Sequence, residues 1–474
     1  YSSAVRVTEF SQSNVCKIND TYYDFIYDAI NNAQENDVIE LLKSTQEKNL
    51  IIDKNLTIKI GENLQNISIF RTETGDLFTI NSGKTLTLLG ENESHLVING
   101  GNILQNGSLF VVSGTFIASN VDFMGNKTSS NGGAVKGLNG GVIQISNSKI
   151  TNNSAIYGGA IHLDYASNRL TLADTEISNN SSKNNGGAIL NKGTIVTTNC
   201  VILDNTTQEN GVIYNYGGGI LKLNSTTIKN NLTSKNGAIY IDGYTEINNS
   251  TITQNSALNN GGGIYYSTSV DVRELIINGS IVAQNSANSG KDIYLDQGKI
   301  TLKNTATING DIYVNNGSLI INMDSLIYGQ INQNLGLISL NDGLFESLNQ
   351  VNFNFINKTD DLNVIKFEGF EFNEEDLTCF NVINDNIKLI FDESGLKLEI
   401  IQPVIPTEPD VPTNNENNLV KIIVIVSSIL IGLGVVVFII FMIKIKIVKD
   451  KKLSSKRKNV RYWKKWISSC WLRT

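Results

Sequence analysis

Most of the chain consists of short segments in which aliphatic and polar residues alternate. In GAIYIDG, residues 237–243, Ile239 and Ile241 fall on one face of an extended strand and Tyr240 falls on the other. The alternation resumes downstream, where Ile247 and Ile252 occupy the inward positions of later strands. Such segments, bounded by Gly, Asn and Ser, predict short β-strands that are each buried on one face.

Two phrases recur in step along residues 123–294. The first is an aliphatic or aromatic residue, two further residues and an Asn, and its copies lie 24 to 30 residues apart. The second is a Gly-rich phrase such as GGAI, which follows each copy of the first. Because both keep step, they mark a structural repeat rather than a ligand loop. The repeat residues are Asn126, Asn153, Asn180, Asn205, Asn231, Asn255 and Asn285, with Gly132, Gly133, Gly158, Gly159, Gly186, Gly187, Gly237 and Gly262.

The period of the repeat selects the fold class. Leucine-rich repeats have a similar length but need a Leu framework that is missing here, and propeller blades need about 40 residues. The sequence therefore predicts an all-β fold, a right-handed parallel β-helix with three short strands per coil. Asn153 is expected to join a ladder of amides between coils, Gly158 and Gly159 to form a corner, and Ile161 to enter the core.

The repeat region is flanked by segments of different character. Residues 1–40 predict an N-terminal cap, because apolar residues recur at helical spacing after Thr21 and an amphipathic helix can cover the open end of a solenoid. The β-helix is expected over 41–345. Residues 346–401 are more acidic and aromatic and predict a β-rich C-terminal cap.

The C-terminal segments predict a membrane anchor. Residues 402–418 contain all four prolines at three-residue spacing, which favours a stiff extended stalk. A transmembrane helix is expected over 419–443, because 422–443 carries no charge and spans roughly 33 Å as a helix. The basic residues of 444–474 then place this tail in the cytoplasm and the N-terminus outside, in a single-pass protein whose partner is the lipid bilayer.

An exported N-terminus needs a leader sequence. The chain starts at Tyr1 and shows no apolar leader, so we interpret it as a processed form or a fragment.

Charge and cysteine content narrow the function classes. The net charge of −7 divides into +11 for residues 444–474 and −18 for 1–443, and so acidic a body argues against a nucleic-acid partner. With two histidines and no metal-ligand spacing, we expect neither a metal site nor a cofactor. Cys16, Cys200 and Cys379 allow one disulfide of unspecified pairing, and at least one of them should be a buried free thiol.

The paired GGAI and FxxN phrases resemble the repeats of the chlamydial polymorphic outer membrane proteins. The two-motif match covers 123–294, and the general β-helix pattern covers about 23–345. The stalk, single hydrophobic helix and basic tail depart from the chlamydial proteins and resemble a surface-protein family of trichomonad parasites that carries the same repeats. The resemblance implies a cell-surface protein with a role in adhesion to host cells, and it implies no catalytic residues.

Asn-x-Ser/Thr sequons are frequent. In a eukaryotic host, a subset on outward turns is expected to carry glycans, whereas a glycan does not fit at an Asn inside a corner. The candidates are Asn55, Asn66, Asn92, Asn106, Asn224, Asn249, Asn278, Asn316 and Asn357.

An enzyme is the alternative hypothesis, because β-helices also host polysaccharide lyases and glycosidases. Such a site needs Asp, Arg, Lys or His clustered on one outer face. The weak candidates are His162 and Asp164 on one strand, with Lys192 and Asp242 on neighbouring coils, and solvated surface residues are the plainer interpretation. We therefore expect a non-enzymatic, adhesive ectodomain at the cell surface, whose ligand and oligomeric state no short motif specifies.

Overall fold

The computed structural model describes residues 13–400 with internal gaps. The described ranges are 13–65, 67–91, 94–270, 273–322, 325–334, 337–341, 351–355, 363–368, 380–382, 387–392 and 395–400. All of them lie in Tyr1–Gln402, the first of the two units into which the chain divides, the second being Pro403–Thr474.

The described residues form a parallel β-solenoid of about ten turns. Its strands belong to three sheets and stack in four parallel ladders. The chain passes through ladders I, II and III in that order in each coil, and seven coils add a strand of ladder IV. Ladders I and II share one sheet, ladder III forms a 12-stranded sheet and ladder IV a 7-stranded sheet. The repeat pattern predicted three strands per coil; it gave no indication of ladder IV, whose strands are two residues long and too short to show alternation.

The strand bounds follow ladder by ladder. Ladder I contains Leu50–Ile52, Phe78–Ile80, Phe110–Val112, Val135–Gly137, Ile161–Leu163, Ile189–Asn191, Ile213–Asn215, Ile239–Ile241, Ile264–Ser267, Gln330–Gln333, Val351–Phe355 and Phe380–Val382. Ladder II contains Val38–Leu41, Leu56–Ile60, Thr85–Leu89, Thr115–Ser119, Val142–Ser146, Arg169–Ala173, Thr194–Thr198, Ile220–Asn224, Tyr244–Asn248, Glu274–Asn278, Leu337–Asn341 and Asn363–Glu368. The long strands Ile293–Lys303 and Ile312–Asn322 run through both ladders.

The other two ladders are built from shorter strands. Ladder III contains Thr45–Glu47, Ser68–Arg71, Leu96–Asn99, Val121–Met124, Lys149–Thr151, Glu176–Ser178, Val201–Leu203, Thr227–Lys229, Thr251–Thr253, Ile281–Ala283, Thr307–Ile308 and Leu326–Ile327. Ladder IV contains Leu104–Gln105, Lys127–Thr128, Ser154–Ala155, Ser181–Ser182, Thr206–Thr207, Leu232–Thr233 and Ser256–Ala257.

The core is a continuous column of inward-facing aliphatic residues. Ile239, Ile241, Ile247 and Ile252 are fully buried, as the alternation in the sequence requires. Phenylalanines contribute to the core of the early coils, where the Phe78 and Phe110 rings stack with centroids 4.7 Å apart. Every coil contacts only its neighbours, so the stability of the solenoid depends on the match between adjacent coils.

The coils shorten towards the C-terminus. Ile293, Ile312 and Ile331 are aligned in ladder I at intervals of 19 residues. Ladder IV ends at Ser256–Ala257, so the shorter coils lack the corner that carried the Gly-rich phrase. The fading of the repeat after residue 290 therefore reflects a change in the cross-section of the solenoid.

The N-terminal end is covered by a helix and a short antiparallel hairpin. The helix spans Ile26–Asn32 and buries Ile26, Ala29 and Ile30. The strand Thr21–Tyr23 pairs antiparallel with Cys16–Ile18, so the helix begins later than the polar Thr21 suggested. The Glu47 carboxylate accepts the Ile26 N–H at 2.7 Å and replaces the missing side-chain cap of the helix.

Parallel pairing continues past residue 345. Asn363–Glu368 and Phe380–Val382 extend the ladders, and Ile387–Asp392 with Gly395–Ile400 adds an antiparallel hairpin. The predicted stalk, transmembrane helix and tail, and Cys379, lie outside the described residues. Within the described ranges no helix has the length and apolar content needed to cross a membrane, and Cys16 and Cys200 are buried free thiols.

Candidate ligand-binding face

The repeat asparagines form a buried line of amides along the corner between ladders III and IV. From Asn153 to Asn255, each side-chain Nδ2 donates to the Oδ1 of the Asn one coil further on, at 2.9 to 3.1 Å. Each Oδ1 also accepts the backbone N–H of the preceding Asn, as Asn153 Oδ1 does from Asn126. The residue before each Asn has a positive φ, for example 56° at Asn152, which aims the amide inward.

A charged residue closes the amide line at each end. Arg71, which is buried, donates to Asn126 Oδ1 at 3.2 Å, and the buried Asp292 accepts from Asn285 Nδ2 at 2.8 Å. From Asn153 onward, each amide carbonyl faces the Arg71 end and one N–H of each amide bonds towards the Asp292 end, while its other N–H bonds a backbone carbonyl of the preceding coil. Each terminal charge therefore has the sign that the aligned carbonyl dipoles favour. Burial raises the pKa of Asp292, while the Asn285 hydrogen bonds lower it.

The Gly pairs form the corner that leads into ladder I. Gly158 has a φ of +61°, whereas Gly159 has no such requirement but leaves no room for a side chain. A Cβ on Gly159 would lie 2.1 Å from the Gly187 carbonyl oxygen of the next coil. The Gly-rich phrase is thus a packing feature, and it contains no group that could bind a ligand through a side chain.

His162 and Asp164 lie on one strand but do not form a catalytic pair. His162 is 3% exposed, contacts the Tyr157 ring, and its Nδ1 has no hydrogen-bond partner among the described residues. Asp164 instead forms an ion pair with Lys192 at 2.8 Å on the surface. Burial lowers the pKa of His162 to about 4, although Asp164 acts in the opposite direction.

We expect His162 to make folding less favourable in acid. Because its pKa of about 4 in the folded chain lies below 6.5, the unfolded chain binds more protons between these values and the free energy of unfolding falls as pH drops through that window. His162→Leu should flatten this dependence. Denaturant unfolding at several pH values measures it, with His95→Leu as the control because His95 is a partly exposed histidine beside Asp122. An unchanged slope in His162→Leu would contradict the assignment.

Other charged residues of the same region form surface ion pairs. Arg273 contacts Asp242 at 3.1 Å, and Glu274 contacts Lys299 at 3.2 Å. Within the described residues, no group of three or more His, Cys, Asp or Glu side chains could hold a metal ion. These two ion pairs link adjacent coils on the outer surface.

The most distinctive feature of the outer surface is a column of five tyrosines on ladder I. Successive rings stack with centroids 4.6, 4.9, 5.3 and 4.8 Å apart and planes within 19° of parallel. Each side chain is partly exposed. We call Tyr214, Tyr240, Tyr265, Tyr294 and Tyr313 the tyrosine column.

Polar groups border the tyrosine column where the ladder I strands end. Asp296 Oδ2 accepts from the Tyr265 hydroxyl at 3.0 Å and from Ser267 at 2.9 Å, and its Oδ1 accepts from Asn315 at 2.8 Å. Burial is the main cause that raises the pKa of Tyr294 to about 12, and nearby Asp296 adds to it. At neutral pH the hydroxyl group of Tyr294 is therefore protonated.

The column does have a signal in the sequence, although the alternation pattern placed only Tyr240 on the outer face. A Tyr follows the inward Ile of ladder I in IY pairs at residues 213–214, 239–240, 264–265, 293–294 and 312–313. Aligning the outward positions coil by coil places all five tyrosines in one line, because parallel coils stack in register.

The sequon asparagines differ in their environment. Asn106, Asn249 and Asn316 are exposed. Asn224 Nδ2 donates to the Thr197 carbonyl at 3.1 Å, and Asn278 Nδ2 donates to Asn248 Oδ1 at 3.0 Å. Asn55 is partly buried and its Oδ1 accepts the Thr85 N–H, while the remaining candidates lie outside the described residues: Asn66, Asn92 and Asn357.

A separate groove of about 760 Å³ lies at the N-terminal cap. Phe25, Tyr27 and Ile51 line it with exposed apolar surface, beside the ion pair of Lys48 and Glu73. It is concave and largely apolar, whereas the tyrosine column is an open, elongated face with regularly spaced polar groups.

These features define a repeat protein with a parallel β-solenoid and an ordered outer face. Residues 174–192 and 249–267 match the model of the Chlamydia polymorphic membrane protein (Chlamydia_PMP) repeat, and the chain resembles that family. Each match contains a ladder III strand, an Asn of the amide line, a ladder IV strand, the Gly corner and a ladder I strand. No curated protein and no solved structure matches the chain.

Proposed function

We propose that this chain is a cell-surface protein whose β-solenoid attaches to host cells or to an extracellular ligand. The tyrosine column supports this most directly, because it holds five partly exposed aromatic side chains in a line on a rigid scaffold. Exposed aromatic side chains are unusual on a solvated surface and are enriched in binding interfaces.

The coils wind right-handed, as parallel crossovers nearly always do.

The ectodomain is displayed by a single membrane-spanning helix in this proposal. The uncharged segment 422–443 and the basic residues after it support a helix with the N-terminus outside. The lipid bilayer is then one partner, and nucleic acid is not, since residues 1–443 carry a charge of −18. An N-terminal epitope should be stained on intact cells and a C-terminal epitope only after permeabilisation; the reverse pattern would overturn the topology.

We also propose that the protein is not an enzyme. The burial and low pKa of His162 support this, because a general base must reach its substrate and an acid must hold a proton near neutral pH. Release of reducing ends or unsaturated sugars from a broad polysaccharide panel by the purified chain, lost in His162→Gln, would contradict it.

Attachment is tested with the full chain. Displayed on non-adherent cells, the chain should increase attachment to host-cell monolayers under flow several-fold over cells carrying an empty vector. Surface amounts are matched by staining an N-terminal epitope. Equal attachment at equal surface amounts would overturn the adhesive function.

A paired variant shows whether the outer face is responsible. Tyr240→Lys with Tyr265→Lys places charge on the tyrosine column without touching the inward residues, and should remove most of the gain in attachment. Thr171→Lys with Val196→Lys makes the matched change on outward positions of ladder II and should leave attachment unchanged. Equal effects of the two pairs would argue that attachment does not use the column.

A further inference from the structure

We propose that the tyrosine column and Asp296 bind a linear, uncharged glycan, with one sugar residue per coil. This inference rests on the proposed function, because it names the class of ligand that the outer face recognises. Three observations carry it: the spacing of the column, the groups that it presents, and the charge around it.

The spacing fits sugars better than peptides. The tyrosine rings repeat at 4.6 to 5.3 Å, which is close to the repeat of an extended β-linked hexose chain. An extended peptide instead presents side chains on one face about every 6.6 Å and falls out of step with the coils after two of them. A linear glycan can therefore place one sugar residue at each coil, with successive residues turned over, while an extended peptide cannot keep step with the coils.

The column offers hydroxyl groups rather than ring faces. Because the rings stack on one another, with Tyr240 and Tyr214 only 4° from parallel, their faces are covered and only their edges and hydroxyl groups are left for a ligand. A tyrosine hydroxyl both donates and accepts, as sugar hydroxyls do. Asp296, held by Tyr265, Ser267 and Asn315, adds a fixed carboxylate that accepts from sugar hydroxyls.

The charge of this face selects against acidic polysaccharides. Among the described residues, no Lys or Arg pairs with Asp296, whereas Arg273 is already paired with Asp242 at 3.1 Å. The nearby Lys291 is paired with Asp311 at 3.1 Å. A uronic acid or a sulfated sugar would bring a second anion close to the Asp296 carboxylate, which has no cationic partner among the described residues. A neutral glycan is therefore favoured.

Binding is measured with the full chain in detergent by calorimetry. The probes are β-1,4-linked glucose, mannose and N-acetylglucosamine oligomers, each from the disaccharide to the hexasaccharide, with β-1,4-linked glucuronic acid oligomers as the acidic control. For at least one neutral series, affinity should rise with each added sugar and level off near the pentasaccharide, since the column has five tyrosines. The glucuronic acid oligomers should bind at least tenfold more weakly.

The variants separate the hydroxyl groups from the stack. Tyr240→Phe, Tyr265→Phe and Tyr294→Phe combined keep the stacked rings but remove three hydroxyls, which should weaken binding by roughly thirtyfold. Tyr244→Phe is the matched control, because Tyr244 is an outward tyrosine of ladder II that bonds Glu246 instead. Circular dichroism shows whether both variants fold. No binding of any neutral series, or equal losses in the two variants, would overturn the proposal.

The two proposals fail in different ways. If the full chain promotes attachment but no neutral oligosaccharide binds it, the glycan site is wrong and the adhesive function stands. If oligosaccharides bind as described but attachment does not rise, the adhesive function is wrong and the glycan site stands. Binding of an extended peptide that competes at the column, without glycan binding, would replace the glycan by a protein partner.

Discussion

Gly159→Ala is expected to destabilise the solenoid by about 4 kcal/mol or more, and Gly159→Val to prevent folding. The added Cβ would lie 2.1 Å from the Gly187 carbonyl oxygen and 2.5 Å from the Ser181 carbonyl oxygen. Both are backbone atoms of the next coil, fixed by hydrogen bonds such as Gly159 N–H to Gly186 at 2.9 Å. The coils would have to separate. The free energy of unfolding in urea measures the loss.

Gly140→Ala is the matched control for this prediction. Gly140 has a φ of +82° but nothing within 4 Å of the place that an added methyl group would take, so the change costs only backbone strain, roughly 1 to 2 kcal/mol. If Gly159→Ala were no worse than Gly140→Ala, the Gly corner would not be a packing constraint. A Gly159→Val chain that folded normally and lost only attachment would instead restore the ligand-loop interpretation of the phrase.

The sequence predicted the parts of the fold that repeat. The inward aliphatic residues and the two phrases recur with each coil, so the β-solenoid was predicted correctly. Features that occur once were missed. Arg71 and Asp292 close the amide line, but a charged residue that occurs once produces no periodic signal in the sequence. Their roles depend on hydrogen bonds to residues 55 positions away for Arg71 and 7 positions away for Asp292.

The candidate face was missed for a different reason. Its tyrosines do recur in the sequence, but they form a surface only because outward positions of successive coils stack on one another. That stacking can be derived from the sequence only when the register between coils is known. His162 shows the opposite error: the alternation placed it correctly on the outer side of its strand, but outward does not mean exposed, because the Tyr157 ring lies close to it.

Asn180→Ala is expected to lower the free energy of unfolding by about 4 kcal/mol. Asn180 lies in the middle of the buried amide line, where its Nδ2 donates to the Ile150 carbonyl at 2.8 Å and its Oδ1 accepts the Asn153 N–H at 2.9 Å. Removal leaves both backbone groups buried without partners, which costs about 1 to 3 kcal/mol each. Urea unfolding measures the difference, and heating should show the same order of stability.

Asn248→Ala tests whether the stability gained from an amide line depends on its burial, and not only on the hydrogen bonds between its amides. Asn248 also bonds between coils, to Asn224 at 3.1 Å and from Asn278 at 3.0 Å, but it lies on the outer surface. Water can replace both bonds there, so the expected loss is below about 1 kcal/mol. Similar losses in Asn180→Ala and Asn248→Ala would contradict the role assigned to the buried line.

Asn180→Asp separates the shape of the side chain from its hydrogen-bonding capacity. An ionised Asp keeps the shape but aims negative charge at the Ile150 carbonyl and at Asn205 Oδ1, which Asn180 Nδ2 contacts at 3.0 Å. Burial and these oxygens should raise the pKa of the new carboxyl in the folded chain above its unfolded value. The variant should therefore be unstable at neutral pH and regain stability as pH falls through that raised pKa, because the protonated carboxyl can donate again. Asn180→Ala is the control, because it has no titratable group at this position. If only Asn180→Asp regains stability in acid, the solenoid requires a hydrogen-bond donor at position 180.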